Sequence, residues 1–356
     1  MHQLYNLSQF FYKEKIRMNI KIRIVPALIV LLLVVTSVGI ARARSEDLVT
    51  VYSSRKEHLI KPLFESFTRD TGIQVTYLTG KGGALIERLK LEGKNTNADM
   101  FMTVDAGNLW YAATQDLFQA VQTQTLENNI PSHLRDSKGL WTGLSVRART
   151  IVYSTERVNP VDLSTYENLA DTKWAGRLCL RTSKKIYTKS LVASMIYHHG
   201  INKASDIISG WVNNLAATPN AKDSHIMNAI ISGQCDIGLV NTYYFARLIT
   251  KNPNVPLKLF WANQDTTGVH VNISGAGVTK YATNVKGAIK LLEWLSNAKA
   301  QAIYASLNKE YPANQNVISD EVVSSWGSFK QDKMNLEQTG ILQADAVKLM
   351  QTKGYR

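Results

Sequence analysis

From Leu48 onward, short apolar runs of strand length alternate with amphipathic runs of helical spacing, and this alternation restricts the chain to an α/β fold. Leu48-Val49-Thr50-Val51-Tyr52 reads as a first strand. Apolar residues then recur at Leu59, Ile60, Leu63, Phe64 and Phe67, the spacing of one helical face, and Gly72 closes the run. Proline is tolerated in a first helical turn but not deeper, so Pro62 sets the expected helix start near His58 or Leu59. Residues 73–78 read as a second strand, 84–91 as a second helix, 99–104 as a third strand and 331–352 as an amphipathic helix. In open α/β sheets, ligands bind beyond the carboxyl ends of the strands. That rule directs attention to the loops 53–57, 79–83 and 105–108. It also points to Tyr187, after the strand-like run 178–181, and to Tyr243-Tyr244, after the run 236–240.

The segment ahead of Leu48 sets the compartment. Lys13, Lys15, Arg17, Lys21 and Arg23 precede an apolar run from Ile24 to Ile40, and Ala41-Arg42-Ala43 follows. A charged region, an apolar region and a small-x-small site in that order predict a cleavable signal peptide over residues 1–43 and a periplasmic mature chain. The apolar run is short of the ~20 residues of a membrane span, so no stable membrane insertion is expected after cleavage; an uncleaved anchor is the alternative. Met18 is an alternative start. The roughly 310 residues that remain exceed what one core usually organises, which predicts two lobes. Residues 44–150 form the first part of lobe 1, 151–270 lobe 2, 271–325 the return to lobe 1, and 326–356 a C-terminal helical segment. The expected architecture is a two-lobed periplasmic-binding-protein fold. Its hinge consists of two crossing strands, near Thr150-Ile151-Val152-Tyr153 and at 271–278, above an interlobe cleft. The chain is expected to act as a monomer.

The formal charge of +13 is scattered. Without a basic run interleaved with aromatics, nucleic acid is excluded as a partner, and a basic cleft for an anion or an anionic complex is the better use of the charge. Cys179 and Cys235 both lie in strand-like runs. Export permits a disulfide between them; two buried free thiols are the alternative, since sequence does not supply the geometry.

Phenols are the most informative side chains. A phenolate is a hard oxygen ligand suited to a hard, highly charged metal ion. Free phenol has a pKa of about 10, so a bound trivalent cation must supply the charge that drives off its proton. Three phenolates, from Tyr187, Tyr243 and Tyr244, would neutralise a +3 ion. Each tyrosine is otherwise an amphipathic lid on the core with its hydroxyl in water. In the first loop, Glu57 offers an oxygen ligand and His58 a nitrogen ligand, while Lys56 or Arg55 can hold an anion. The plain alternative is a solvated helix start with Glu57 favoured near its N-terminus. Arg147 and Arg149 alternate onto one face of an extended segment, where they line the cleft or form a hinge salt bridge. Thr79-Gly80-Lys81-Gly82-Gly83 lacks the Walker A spacing and reads as a tight turn. The sequence has no His-Glu-x-x-His, Gly-x-Ser-x-Gly or Cys-x-x-Cys. Adjacent His198 and His199 point apart on a helix. The rival enzyme reading, a metal-dependent hydrolase, has only Glu57 as a general base, so an enzyme is not expected.

Several segments together resemble the periplasmic ferric-iron-binding proteins of ABC importers, in the transferrin-like branch of solute-binding proteins. They are Val51-Tyr52-Ser53-Ser54-Arg55, residues 98–105 (Ala98 to Asp105), residues 146–153 (Val146 to Tyr153), residues 181–190 around Tyr187, Asn241-Thr242-Tyr243-Tyr244, and residues 269–275. The resemblance implies Fe(III) as the cargo, Tyr187, Tyr243 and Tyr244 as ligands, and an ABC permease as the partner. The first loop departs from the pattern: Lys56 and Glu57 stand where many relatives have His or His-Tyr. The first-lobe ligand is therefore Glu57, His58 or none. Other relatives complete the site with carbonate or another synergistic anion, for which Lys56, Arg149 and Arg55 are the candidates here. Asn108 stands where some relatives have an anion-contacting arginine. The alternative within the family is a carrier of another anion or of a small organic ligand.

Overall fold

The computed structural model describes residues 47–356, so the expected signal peptide lies outside the described residues. Among the described residues, nine strands organise the fold: β1 Leu48–Ser53, β2 Gln74–Thr79, β3 Met100–Val104, β4 Thr142–Ser154, β5 Leu178–Cys179, β6 Ile237–Asn241, β7 Leu257–Phe260, β8 Val271–Val278 and β9 Tyr311–Pro312. Among the described residues they join in the order β2-β1-β3-β8-β4-β6-β5, with β7 and β9 added against β4. β1 and β3 are parallel, as are β5 and β6, whereas β8 and β4 run antiparallel to their neighbours.

β4 explains how the sheet divides. Its 13 residues are all buried. Residues from Thr142 to Ala148 pair with β8, and residues from Arg149 to Tyr153 pair with β6. One uninterrupted strand therefore serves two halves of the sheet and changes partner between Ala148 and Arg149. Helices cover both faces of each half. In the first half, Ile60, Leu63, Phe64 and Phe67 pack with Val49 and Met100 on one face, and Ile86, Leu109, Phe101 and Trp141 on the other. In the second half, Leu191, Ile208 and Trp211 oppose Ile226, Ile230 and Phe245 across the sheet.

The helix Glu57–Thr71 has the expected buried face and ends at Gly72, whose φ of 77° allows its N–H to reach the Thr68 carbonyl. It starts at Glu57, slightly earlier than expected, and Pro62 lies inside it. Pro62 is the sixth residue of the helix, beyond the first turn in which it was expected, so the helix continues there without the bond from residue 62 to the His58 carbonyl. The glycines at 82 and 83 open the helix Gly82–Glu92 instead of forming a turn of their own. Gly82 is needed for close approach: a Cβ there would come within 3.0 Å of Thr103 Oγ1 and 3.2 Å of Asn108 Nδ2.

The C-terminal segment differs from the single helix expected over 331–352. Gln331 pairs with Val269, Met334 and Leu336 are buried at a two-residue spacing suited to extended backbone, and helix appears only at Gln338–Ile341 and Gln343–Thr352. Val323 and Leu336 belong to the core of the first half, while Ala346, Leu349, Met350 and Tyr355 belong to that of the second. The chain therefore passes between the halves a third time, beyond the two crossings anticipated. Cys179 and Cys235 are joined in a disulfide with Cα atoms 6.0 Å apart, beside the parallel β5–β6 pairing. No helix among the described residues is long and apolar enough to cross a membrane.

Candidate functional site

The tyrosines sit where two strands of the second half feed helices. β6 is wholly buried and passes directly into the helix Thr242–Lys251, which places Tyr243 and Tyr244 in its first turn. The connection after β5 leads to the helix Ile186–Asn213, broken at Gly200, with Tyr187 as its second residue. All three tyrosines therefore stand in the first turns of helices.

The structure brings the three tyrosines together. The rings of Tyr243 and Tyr244 lie 4.4 Å apart between centroids. Arg181 spans two of the residues, its guanidinium 5.1 Å from the Tyr187 ring and 5.8 Å from the Tyr244 ring. Arg147 lies 4.9 Å from the Tyr187 ring. Arg247 lies 5.3 Å from the Tyr243 ring and 5.9 Å from that of Tyr244. Tyr243 is buried, whereas Tyr187 and Tyr244 are half-buried. Burial pushes the Tyr243 hydroxyl well above its ordinary pKa; neighbouring Tyr187 and Tyr244 push the same way, while Arg147 opposes them. Without a cation, this phenol holds its proton tightly. A bound cation would reverse the balance by offsetting the charge that burial disfavours.

Two buried carboxylates hold the arginines in place. Asp223, fully buried, accepts from Arg181 Nη1 at 2.8 Å, from Arg149 Nη1 at 3.2 Å and from the Asn241 N–H at 2.9 Å. Asn241 in turn donates to the Tyr243 hydroxyl at 3.4 Å. Asp105 accepts from Arg147 Nη2 at 3.0 Å and from Ser190 Oγ at 2.8 Å, and Arg147 also donates to the Ile273 carbonyl at 2.6 Å. Arg147 and Arg149, two residues apart on β4, are thus anchored to opposite halves, one through Asp105 and the other through Asp223. Arg247 donates to Asn308 across from the second half.

The first loop is arranged differently. Arg55 is buried; its two terminal nitrogens donate to Ser274 Oγ and, at 3.1 Å, to Glu310. Burial pushes the Glu310 carboxyl up, but Arg55, Ser145 and Arg147 together outweigh it and leave the group below the ordinary carboxylate value. Arg149 is likewise occupied, by Asp223, Asn241 and the Leu239 carbonyl. Lys56, Glu57 and His58 are exposed, and Glu57 accepts from the Tyr77 hydroxyl at 2.9 Å. Asn108 donates to the Val104 carbonyl at 2.8 Å. Sequence reasoning assigned no role to Asp223, Arg181 or Arg247. Arg247 was within reach of a pattern argument, since positions three and four residues after Tyr244 and Tyr243 share their helix face. Asp223 carried no local signal.

The family described as bacterial extracellular solute-binding protein matches residues 95–330. Iron uptake protein A1 of Synechocystis sp. is 40% identical over 314 residues, which cover 86% of this chain and 87% of that protein. The major ferric iron-binding protein of Neisseria meningitidis serogroup B is 27% identical over 277 residues, covering 76% and 82% of the two chains. A solved structure of the Trichodesmium protein IdiA (FutA) in complex with iron and citrate matches with a TM-score of 0.84 at 44% identity, covering 87% of this chain and 100% of that one. The fold is the two-lobed α/β arrangement of such binding proteins. These relatives are named for uptake and binding, and the chain is a binding protein rather than an enzyme. On the extent of these matches, the chain belongs to the bacterial extracellular solute-binding protein family.

Proposed function

We propose that the chain carries ferric iron in the periplasm, holds it through the phenolates of Tyr187, Tyr243 and Tyr244, and delivers it to an inner-membrane ABC permease. The observation that carries this reading is the meeting of three phenols at two helix starts under three guanidinium groups. The relatives named for iron uptake and ferric iron binding support the choice of cargo. Ligation requires each phenol to lose its proton, so iron uptake releases protons and weakens in acid. Three phenolates balance the charge of Fe(III), whereas Fe(II) would leave the site with surplus negative charge.

Arg181 and Arg247 supply positive charge beside the phenols for an anion that completes the iron shell, such as carbonate. Lys56, which is exposed, is a further candidate for that anion; Arg55 is held by Glu310, and Arg149 shares Asp223 with Arg181, which still faces the Tyr187 and Tyr244 rings. Glu57 remains a candidate first-lobe ligand only if it releases Tyr77.

Absorption spectroscopy during addition of ferric citrate, with and without bicarbonate, tests the proposal. A visible phenolate-to-iron charge-transfer band that saturates at one iron per chain is expected. A protein that stays colourless, yet binds an oxyanion or a small organic anion without metal, would assign the arginines to that solute and overturn the iron reading.

A further inference from the structure

The turn that presents Tyr187 is held from a distant part of the chain. Its own helix offers little local support: Lys185, at the N-cap position, provides no side-chain cap to the first turn. Two sets of contacts fix residues 181–183, and the Lys185 N–H closes the turn onto the Thr182 carbonyl at 3.2 Å. On one side, Arg181 pairs with Asn220, and the Thr182 N–H donates to the Asn220 carbonyl at 2.8 Å. On the other, the Tyr355 hydroxyl donates to the Arg181 carbonyl at 2.7 Å, and the Ser183 N–H donates to the Arg356 carbonyl at 3.1 Å.

Tyr355 is only 3% exposed, and its ring belongs to the core formed with Leu349, Met350 and Leu191. Arg181, whose carbonyl it holds, is the residue whose guanidinium lies over both Tyr187 and Tyr244. Displacing that backbone would shift the guanidinium and the Tyr187 turn together. Ligand atoms must be held within about 0.5 Å of the productive geometry by the surroundings. The segment that carries Tyr355 also has residues in the core of the first half, Leu336 among them.

We propose that Tyr355 is a positioning residue for the tyrosine site: through the Arg181 carbonyl and the 182–185 turn, it determines where Tyr187 presents its oxygen. This rests on the iron-binding reading given above. The two are separable, because the parent protein tests the site and Tyr355 tests only its support.

The experiment compares the parent with Tyr355→Phe, which keeps the ring and removes the donor, and with Tyr187→Phe. Leu63→Ala, a core change in the other half, serves as a control of similar or greater instability. Each is titrated with ferric citrate and followed by its absorption band, and each is melted without iron. Outer-shell partners typically contribute about 10–100-fold in metal affinity. Tyr355→Phe is therefore expected to weaken ferric binding about tenfold and to shift the charge-transfer band, while Leu63→Ala lowers the melting temperature without moving the band. If Tyr355→Phe keeps the parental band and affinity, or if its loss of affinity merely tracks melting as in Leu63→Ala, the proposal is overturned. A parent that gives no band, or a Tyr187→Phe variant that binds iron as the parent does, would instead remove the underlying iron reading.

Discussion

Two kinds of helix start carry the charged and phenolic residues of this chain, and they have different fates. At the start of Glu57–Thr71, a dense set of candidate ligands, Arg55 through His58, is dispersed: Arg55 turns inward to Glu310, and the other three face solvent. At the starts of Ile186–Asn213 and Thr242–Lys251, residues far apart in sequence converge on one another. Chemical suitability was similar in the two regions. The difference lies in where the buried carboxylates stand: Asp105 and Asp223 hold Arg147 and Arg181 over the Tyr187 ring, whereas Glu310 holds Arg55 in the core.

Removal of the phenols should have the largest effect. Tyr187→Phe combined with Tyr243→Phe should abolish the charge-transfer band and weaken ferric binding by more than about a hundredfold, beyond the usual loss of an outer-shell partner. Parental colour and affinity in that double variant would show that the convergence of the rings is structural.

Arg55→Ala should act on stability. It leaves Glu310 buried without its cation, a change that costs about 3–5 kcal/mol when one member of a buried pair is removed. Urea unfolding measures the loss; an unchanged midpoint together with weaker anion-dependent iron binding would return Arg55 to the site.

His270 is buried beside the point where β4 changes partner, its carbonyl accepting from the Arg149 N–H at 3.0 Å. Burial lowers its pKa to about 3; Arg149, Arg147 and His198 push the same way, and Asp332 opposes them. An unfolded histidine titrates near 6.5. The unfolded chain therefore takes up a proton that the folded chain refuses between pH 6.5 and about 3. The contribution of His270 to stability is complete above the unfolded value and is lost as pH falls, by about 1.4 kcal/mol per pH unit. His270→Gln should flatten that slope in unfolding measurements from pH 7 to 4, and an unaltered slope would assign the acid sensitivity elsewhere.

The smallest effects are expected in the exposed part of the first loop. Glu57→Gln and Lys56→Ala should each change stability by less than about 0.5 kcal/mol, as surface substitutions usually do, and should leave the iron band in place. A lost or shifted band in Glu57→Gln would make it a first-lobe ligand and would narrow the contrast between the regions.

Much of this organisation was legible in local pattern. Periodicity located β1, β3 and β8 and the buried face of Glu57–Thr71, because strand and helix repeats are set by neighbours only a few residues away. The same reading put Tyr187 and Tyr243-Tyr244 beyond the ends of strands, and the structure adds the helices in whose first turns they stand. The segment 331–337 is extended where a helix was expected: Met334 and Leu336 are buried at strand spacing, and the pairing of Gln331 with Val269, a contact across 62 positions, decided the conformation. Asp223 was missed because a lone aspartate in sequence gives no sign that three donors will converge on it.

By itself, the sequence determined the α/β class, the family pattern and the residue types able to meet a trivalent ion, since these depend on composition and short-range spacing. The tertiary structure decided which cations face the phenols, which are neutralised in the core, that Cys179 meets Cys235, and that Tyr355 reaches the Arg181 carbonyl. Apart from the short Arg181–Tyr187 step, those outcomes depend on contacts between residues tens to hundreds of positions apart. A buried charge takes whichever partner the packed fold brings within reach, because leaving it unpaired costs more than any local preference can supply.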